Sequence, residues 1–235
     1  DIDLEMIDRI IKKVQKDPES TEIKKGELAL WKNMKKACEG ARRTGTGITA
    51  LGDTLAALGI KYGSQKSIEM TESIYRVLKL SCYRSSVNMA KELGAFPLWD
   101  PELEKDNPFL LRIRDEDTQL WEDMQKYGRH NVACLTSSPS GSLSLLTQTA
   151  SGLEPVYQLY NIRKVKITPS HNLEFHSVDN NGDKWHHYKV LHPQLKKWTE
   201  ITGEEDITKS PWYGCCAEDL DWRRRVKLQS TIQKH

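Results

Sequence analysis

The chain has no long apolar run, no excess of either charge, no internal repeat and no low-complexity tract. Each absence excludes a class. Without about twenty consecutive apolar residues there is no transmembrane helix to read, so no membrane partner is expected. Lysine and arginine number 35 against 33 acidic residues, a net charge of +2, which gives no electrostatic case for direct nucleic-acid binding. No signal-peptide or targeting pattern opens the sequence. The five cysteines (Cys38, Cys82, Cys134, Cys215 and Cys216) are scattered and odd in number. That is unlike a secreted disulfide scaffold and points to the reducing cytoplasm. What is present suits folding: 37% of the 235 residues are hydrophobic, enough for one substantial domain or two small ones.

Periodicity divides the chain into a helical first part, residues 1–130, and a mixed second part, residues 131–235. Leu4, Ile7, Ile11 and Val14 form an apolar stripe of a first helix, and Asp17-Pro18 separates it from a second. The second carries Leu28, Trp31, Met34 and Cys38 on one face. A third is expected from near Thr44 to Gly59. A long fourth runs from an N-capping Ser64 to Gly94, with Ile74, Leu78 and Cys82 in register. The stretch with Pro97, Pro101 and Pro108 reads as irregular, followed by a short helix from Glu116 to Tyr127. Beyond it, Val132–Leu135 and Val156–Ile167 read as strands. Leu173–Val178 and Trp185–Val190 flank Asn180-Asn181-Gly182-Asp183, a strong hairpin signal. Helices at His192–Thr202 and from Glu218 close the chain. Both ends fall within helical pattern, and the expectation is an internal piece of a longer protein or one part of a split one.

The most informative stretch is Ser138-Pro139-Ser140-Gly141-Ser142-Leu143-Ser144, followed by Ser151-Gly152-Leu153-Glu154-Pro155-Val156-Tyr157. Small hydroxyl residues and a glycine ahead of a helix can turn several backbone N–H groups toward one anion. By composition alone the same residues also describe an ordinary turn. The wider pattern decides between them. Gly40-Ala41-Arg42-Arg43-Thr44-Gly45-Thr46-Gly47-Ile48-Thr49-Ala50-Leu51-Gly52-Asp53, Gly94-Ala95-Phe96-Pro97, Tyr160-Asn161-Ile162-Arg163-Lys164-Val165, Lys209-Ser210-Pro211-Trp212-Tyr213-Gly214 and Asp219-Leu220-Asp221-Trp222 follow in order along the chain. Together with the loop they resemble the large, catalytic subunit of ribonucleotide reductases, most of all the adenosylcobalamin-dependent branch.

That resemblance implies an α/β fold, part of a ten-stranded α/β barrel, and a function in converting ribonucleotides to deoxyribonucleotides by radical chemistry. It places the substrate's phosphates on Pro139, Ser140, Gly141, Ser142 and Leu143, held largely by backbone N–H groups. Leu143 stands where some relatives carry a further hydroxyl. It implies adenosylcobalamin as cofactor, with no ligand for it in this segment. The implied partners are the ribonucleotide, the rest of the reductase chain or a complementary split subunit, and a second copy of the full enzyme.

Glu154, driven toward extended geometry by Pro155, is expected to be structural, with Arg163 or Arg43 as its partner; the alternative is a catalytic acid. The family's essential glutamate lies elsewhere, in an Asn-x-Cys-x-Glu motif that these 235 residues lack. The radical and electron-delivering cysteines are likewise unmatched by Cys38, Cys82 and Cys134. Cys215-Cys216 is too short a spacing for a relaxed disulfide and reads as two small semi-buried residues. No catalytic residue is therefore expected in the segment. His171, His176, His186, His187 and His192 crowd the hairpin without the spacing of a metal site, and Trp185, Trp198, Trp212 and Trp222 read as packing anchors. Competing readings are a diiron-dependent reductase of the same fold and a non-catalytic helical interaction module.

Overall fold

Capping residues and glycines set most of the boundaries in the computed structural model, which describes residues 2–168 and 173–235. The chain falls into two units. One comprises Asp1–Gly47, Ser73–Thr136 and Lys234–His235; the other comprises Ile48–Glu72 and Ser137–Gln233. No helix among the described residues is long and apolar enough to cross a membrane.

In the first unit α1 (Ile2–Lys16) packs on α2 (Thr21–Ala41), with Ile7 and Val14 of the expected stripe buried. Ser20 caps α2 by accepting from the Ile23 N–H at 3.4 Å. The expected apolar face of α2 is only partly covered: Leu28 and Trp31 are half-buried, and Met34 and Cys38 are exposed. The helix expected from Thr44 does not begin there. Thr44 N–H donates to Ala133 O (3.1 Å), Thr46 N–H to Cys134 O (2.7 Å) and Thr136 N–H to Thr46 O (3.1 Å), giving a parallel bridge of Thr46 with Leu135. Glycine makes this possible. A Cβ at Gly45 or Gly47 would come within 2.6 Å or 2.4 Å of Thr136. The strand expected at Val132–Leu135 is reduced to that bridge.

Helix α4 (Gln65–Leu93) matches its caps. Ser64 accepts from the Ser67 N–H at 3.1 Å, and Gly94 adopts φ +87° after the last turn. Its buried stripe differs from the one expected. Thr71, Tyr75, Lys79, Tyr83, Ser86 and Val87 are buried, while Ile74, Leu78 and Cys82 lie at the margin. The reason is polar pairing. Lys79, fully buried, donates to Glu116 at 2.8 Å, and Ser86 exchanges hydrogen bonds with Asn131 at 2.9 and 3.0 Å.

The proline-rich stretch is more ordered than expected. Pro101 opens α5 (Pro101–Glu104) and Pro108 opens α6 (Pro108–Glu116), each proline where a missing N–H costs nothing. Asp100 and Asn107 cap them, accepting from Glu102 N–H and Phe109 N–H at 2.9 Å. Asp117 then caps α7 (Thr118–Tyr127). Leu110, Ile113, Leu120, Met124, Tyr83, Val87 and Cys134 form the core of this unit.

The second unit holds α3 (Leu51–Ala57), α8 (Gly141–Thr147), β1 (Tyr160–Lys166), β2 (Ser177–Val178), β3 (Lys184–Leu191), α9 (Pro193–Thr202) and α10 (Trp222–Gln233). Helix α3 ends at Leu58, followed by Gly59 at φ +69°. The fold is thus mixed helix and sheet. The strands make one open antiparallel sheet among the described residues, ordered β1-β3-β2, with Arg163 opposite Tyr188 and Ser177 opposite Trp185. One side chain holds the hairpin turn: Asp179 accepts from Asn181 N–H, Asp183 N–H and the Trp185 indole at 2.9–3.0 Å. Gly182 takes φ +82°, and its N–H donates to Asp179 O at 3.0 Å. β1 starts four residues later than expected, because Val156 is buried and its carbonyl accepts from the Ala217 N–H at 2.9 Å. α10 starts at Trp222, where Asp221 accepts from the Arg223 N–H at 2.9 Å, and not at Glu218. His171 lies outside the described residues. Ala56, Val156, Leu195, Trp212 and Cys216 form the core.

Candidate functional site

The loop ahead of α8 is open to solvent: Pro139, Gly141, Ser142 and Leu143 are exposed and Ser140 is half-buried. Ser140 anchors it, donating its hydroxyl to the carbonyl of Ser151, while its own carbonyl accepts from the Ser144 N–H at 2.9 Å. The first turn of α8 leaves the N–H groups of Gly141, Ser142 and Leu143 without intrahelical acceptors. Gly141 has no positive φ, so conformation alone does not require glycine. A Cβ built there meets nothing within 4 Å, so the space above the backbone is open. Ser137, Ser138 and Pro139, with Glu154, Arg225 and Gln229, line a cavity of about 280 Å³.

The Ser151–Pro155 segment is held from beneath. Leu51 N–H donates to Gly152 O at 3.0 Å, and the Tyr62 hydroxyl donates to Leu153 O at 2.7 Å. Gly52 allows the approach, since a Cβ there would sit 2.9 Å from Glu154 O. Pro155 is buried and Glu154 half-buried. The expected arginine partner of Glu154 is replaced by a hydroxyl: Ser151 Oγ donates to its carboxylate at 3.3 Å. Arg163 is exposed on β1 and lines a larger cavity of about 660 Å³, together with Ser144, Glu154, Asn161, His192 and Arg225. Arg43 belongs to the first unit, where it lines a cleft of about 250 Å³ with Cys38, Arg42 and Asn131.

One residue to which the sequence reading gave no role organises the wall of the larger cavity. Asp53, buried on α3, accepts from His192 Nε2 and Trp212 Nε1, each at 2.8 Å, and from the Ala150 N–H at 2.7 Å. Burial pushes its pKa up, but the hydrogen bonds and charge of His192 and the donors at Ala150 and Trp212 outweigh it, holding the pKa below the ordinary 3.8. An acidic residue inside the apolar run 50–58 was the available signal. With an ionised carboxylate facing it, the His192 Nε2 carries the proton.

Cys134, Cys215 and Cys216 carry no activated thiolate. Cys215 and Cys216 are free, buried, and directed at the Trp212 carbonyl at 3.2 and 3.6 Å. Burial raises the pKa of Cys134 and Cys215 and pushes Cys216 up to about 12. No three His, Cys, Asp or Glu side chains among the described residues converge on a metal position. His176 stacks on His187 and meets His186 edge-on, with His187 Nε2 at 2.7 Å from Ser177 Oγ. Trp212 and Trp198 pack as anchors and Trp185 ties down the turn. Trp222 does not pack: it is 64% exposed, with Arg223 over its ring.

Residues 6–235 match the ribonucleotide reductase barrel-domain family, and the chain belongs to it. A vitamin B12-dependent ribonucleoside-diphosphate reductase from Thermoplasma acidophilum is 26% identical over 210 residues, which is 86% of this chain and 24% of that protein. The protein of the same name from Mycobacterium tuberculosis (strain CDC 1551 / Oshkosh) is 26% identical over 130 residues, 55% of this chain and 16% of its own length. A ribonucleoside-diphosphate reductase large subunit from African swine fever virus (isolate Tick/South Africa/Pretoriuskop Pr4/1996) is 41% identical over 56 residues, 24% of this chain and 7% of the viral protein. The chain therefore spans a quarter or less of each of these relatives.

Proposed function

We propose that the chain serves as a segment of a ribonucleotide reductase catalytic subunit, which converts ribonucleotides to deoxyribonucleotides, and that it holds the substrate's phosphates on Pro139, Ser140, Gly141, Ser142 and Leu143. The observation that carries this reading is the open space over Gly141 at the head of α8, where backbone N–H groups lack intrahelical partners. α8 is seven residues long, so its dipole adds little and direct N–H contacts do the holding. Ser142 adds a hydroxyl, and Ser140 acts through the shape of the loop because its own hydroxyl is engaged by Ser151.

The finer architecture belongs to the same proposal. Residues 1–235 form part of one ten-stranded α/β barrel domain, with the loop, strands, hairpin and closing helices in 131–235. The partners are the ribonucleotide and the remainder of the reductase, as one chain or as a complementary split subunit, in an enzyme that pairs with a second copy. The names of the B12-dependent relatives favour adenosylcobalamin as its radical source over a diiron partner. No described residue of this chain is assigned to that cofactor. The ring nitrogens engaged at His130, His186, His187 and His192 face Gly94 O, Glu174 O, Ser177 Oγ and Asp53. The cofactor is accordingly assigned to the rest of the enzyme, as is the radical cysteine.

In the assembled enzyme, Gly141→Val should raise the substrate KM by about tenfold or more, equivalent to losing one or two charge-assisted hydrogen bonds. Ser140→Ala should do less. An unchanged KM in a folded Gly141→Val enzyme would show the loop to be only a turn. The 235-residue chain by itself should form no deoxyribonucleotide from any of the four ribonucleotides with adenosylcobalamin and a dithiol.

A further inference from the structure

Most arginine side chains in this protein have partners. Arg76, Arg84, Arg114 and Arg129 pair with carboxylates, and Arg223 lies over Trp222. Arg163 of β1 and Arg225 of α10 have no hydrogen bond or ion pair from their guanidinium groups among the described residues. Both line the 660 Å³ cavity of the second unit. Asn161, two residues before Arg163 and so on the same face of β1, lines it too, and its side-chain amide is likewise without a partner among the described residues. Arg225 also lines the 280 Å³ cavity beside Ser138 and Pro139, so one guanidinium serves the walls of both.

The charge balance of this wall is positive. Glu154 is the carboxylate in the lining, and it already accepts from Ser151 Oγ. His192 is turned to Asp53 through Nε2. Two guanidinium groups therefore face one carboxylate, and the fork of each matches a phosphate's oxygens. The phosphate loop itself contributes no cation: residues 137–144 contain no lysine or arginine. A multiply charged phosphate chain held only by backbone N–H groups would keep most of its charge uncompensated.

Building on the loop reading above, we propose that Arg163 and Arg225, with Asn161 beside them, form a second phosphate-holding position in this cavity. It takes a phosphate group of the same nucleotide that the Pro139–Leu143 loop engages. Arg225, on the wall of both cavities, joins the two positions. Substrates carrying two or more phosphates gain both contacts, and a monophosphate gains one.

Titration of the 235-residue chain with inorganic pyrophosphate, followed by calorimetry, tests this directly. Saturable binding with a Kd of about 1 mM or tighter is expected, weakened about tenfold by Arg225→Gln and by Arg163→Gln. Arg225→Lys should recover part of the loss, since a point charge keeps attraction without the fork. Both arginines are exposed, so circular dichroism should report unchanged folding. Arg224→Gln, on the same helix but outside both cavity walls, separates local contact from general charge. Absence of saturable binding, or equal weakening by Arg224→Gln, overturns the proposal. If Gly141→Val abolishes binding while the arginine variants bind normally, the loop acts alone: the inference fails and the functional reading stands. If the arginine variants weaken binding and Gly141→Val does not, the cationic wall stands and the loop assignment fails.

Discussion

The two units treat their buried charges differently. In the first, ion pairs close on themselves: Lys79 on Glu116, and Arg129 on Glu104 through two contacts of 2.6 Å. Arg129 and Lys79 are almost wholly removed from water, and each has its carboxylate in place. In the second, the buried carboxylate of Asp53 is satisfied by neutral donors and a histidine, while Arg163 and Arg225 are left at a cavity wall. A closed ion pair fixes how elements meet; an open guanidinium is available to a ligand. The contrast is between charge closed into the scaffold in the first unit and charge left open at a cavity wall in the second.

Substitutions grade that contrast. The largest expected effect is at Glu116. Glu116→Ala leaves Lys79 as a buried, unpaired cation, which should cost about 3 kcal/mol in chemical denaturation, the low end for a buried pair because Glu116 itself is partly solvated. Asp53→Asn comes next. It turns one amide hydrogen against an N–H that the carboxylate accepts, for a loss of about 2 kcal/mol by the same measurement. A loss in Asp53→Asn that exceeded that in Glu116→Ala would reverse the assignment of the two units.

These two carboxylates also set an acid limit. Burial pushes the Glu116 pKa up, but the Lys79 hydrogen bond and charge outweigh it and hold it below the ordinary 4.5, as Asp53 is held below 3.8. A folded pKa below the unfolded one gives stability that is present above the unfolded value and is lost as pH falls through the folded value. The wild-type midpoint should therefore be level at neutral pH and decline below about 4.5, with a shallower decline in Asp53→Asn. Ser64→Ala, which removes the cap of α4, should cost about 1 kcal/mol. Lys91→Ala, which opens a surface pair with Asp123, should leave the denaturation midpoint unchanged.

Local stop signals were the most legible part of the sequence. Ser64, Gly59 and Gly94 bound their helices as glycine and serine chemistry requires, and Asn181-Gly182 gave the hairpin. Three features were hidden for physical reasons. Thr44–Gly47 precedes an apolar spacing that reads as helix, yet the close approach of Thr136 to Gly45 and Gly47 lays it alongside Leu135 instead. The buried face of α4 mixes polar with apolar residues, so an apolar stripe pointed to its edge; Lys79 looks solvated until Glu116 is seen beside it. Pro101 and Pro108 read as breakers, although a first helical turn accepts proline. At the candidate site the loop was legible because its residues are contiguous. Arg163 and Arg225 line one cavity from two separate elements, Asp53 on a third holds His192 and Ala150 of its wall, and no spacing in the sequence announces that arrangement.

The hairpin turn has a consequence for how the protein ages. Asn-Gly is the dipeptide most prone to deamidation, because glycine leaves its own amide nitrogen free to attack the asparagine side chain and close a succinimide. Here the Gly182 nitrogen is hydrogen-bonded to Asp179 O, and both flanking N–H groups are fixed on the Asp179 carboxylate. The folded turn thus protects a chemically fragile bond that an unfolded chain exposes. Conversion at Asn181 would insert an extra methylene or a new carboxylate beside Asp179 and Asp183, and the pairing of β2 with β3 would slip. The shelf life of this chain is in that sense tied to whether one aspartate keeps its turn closed.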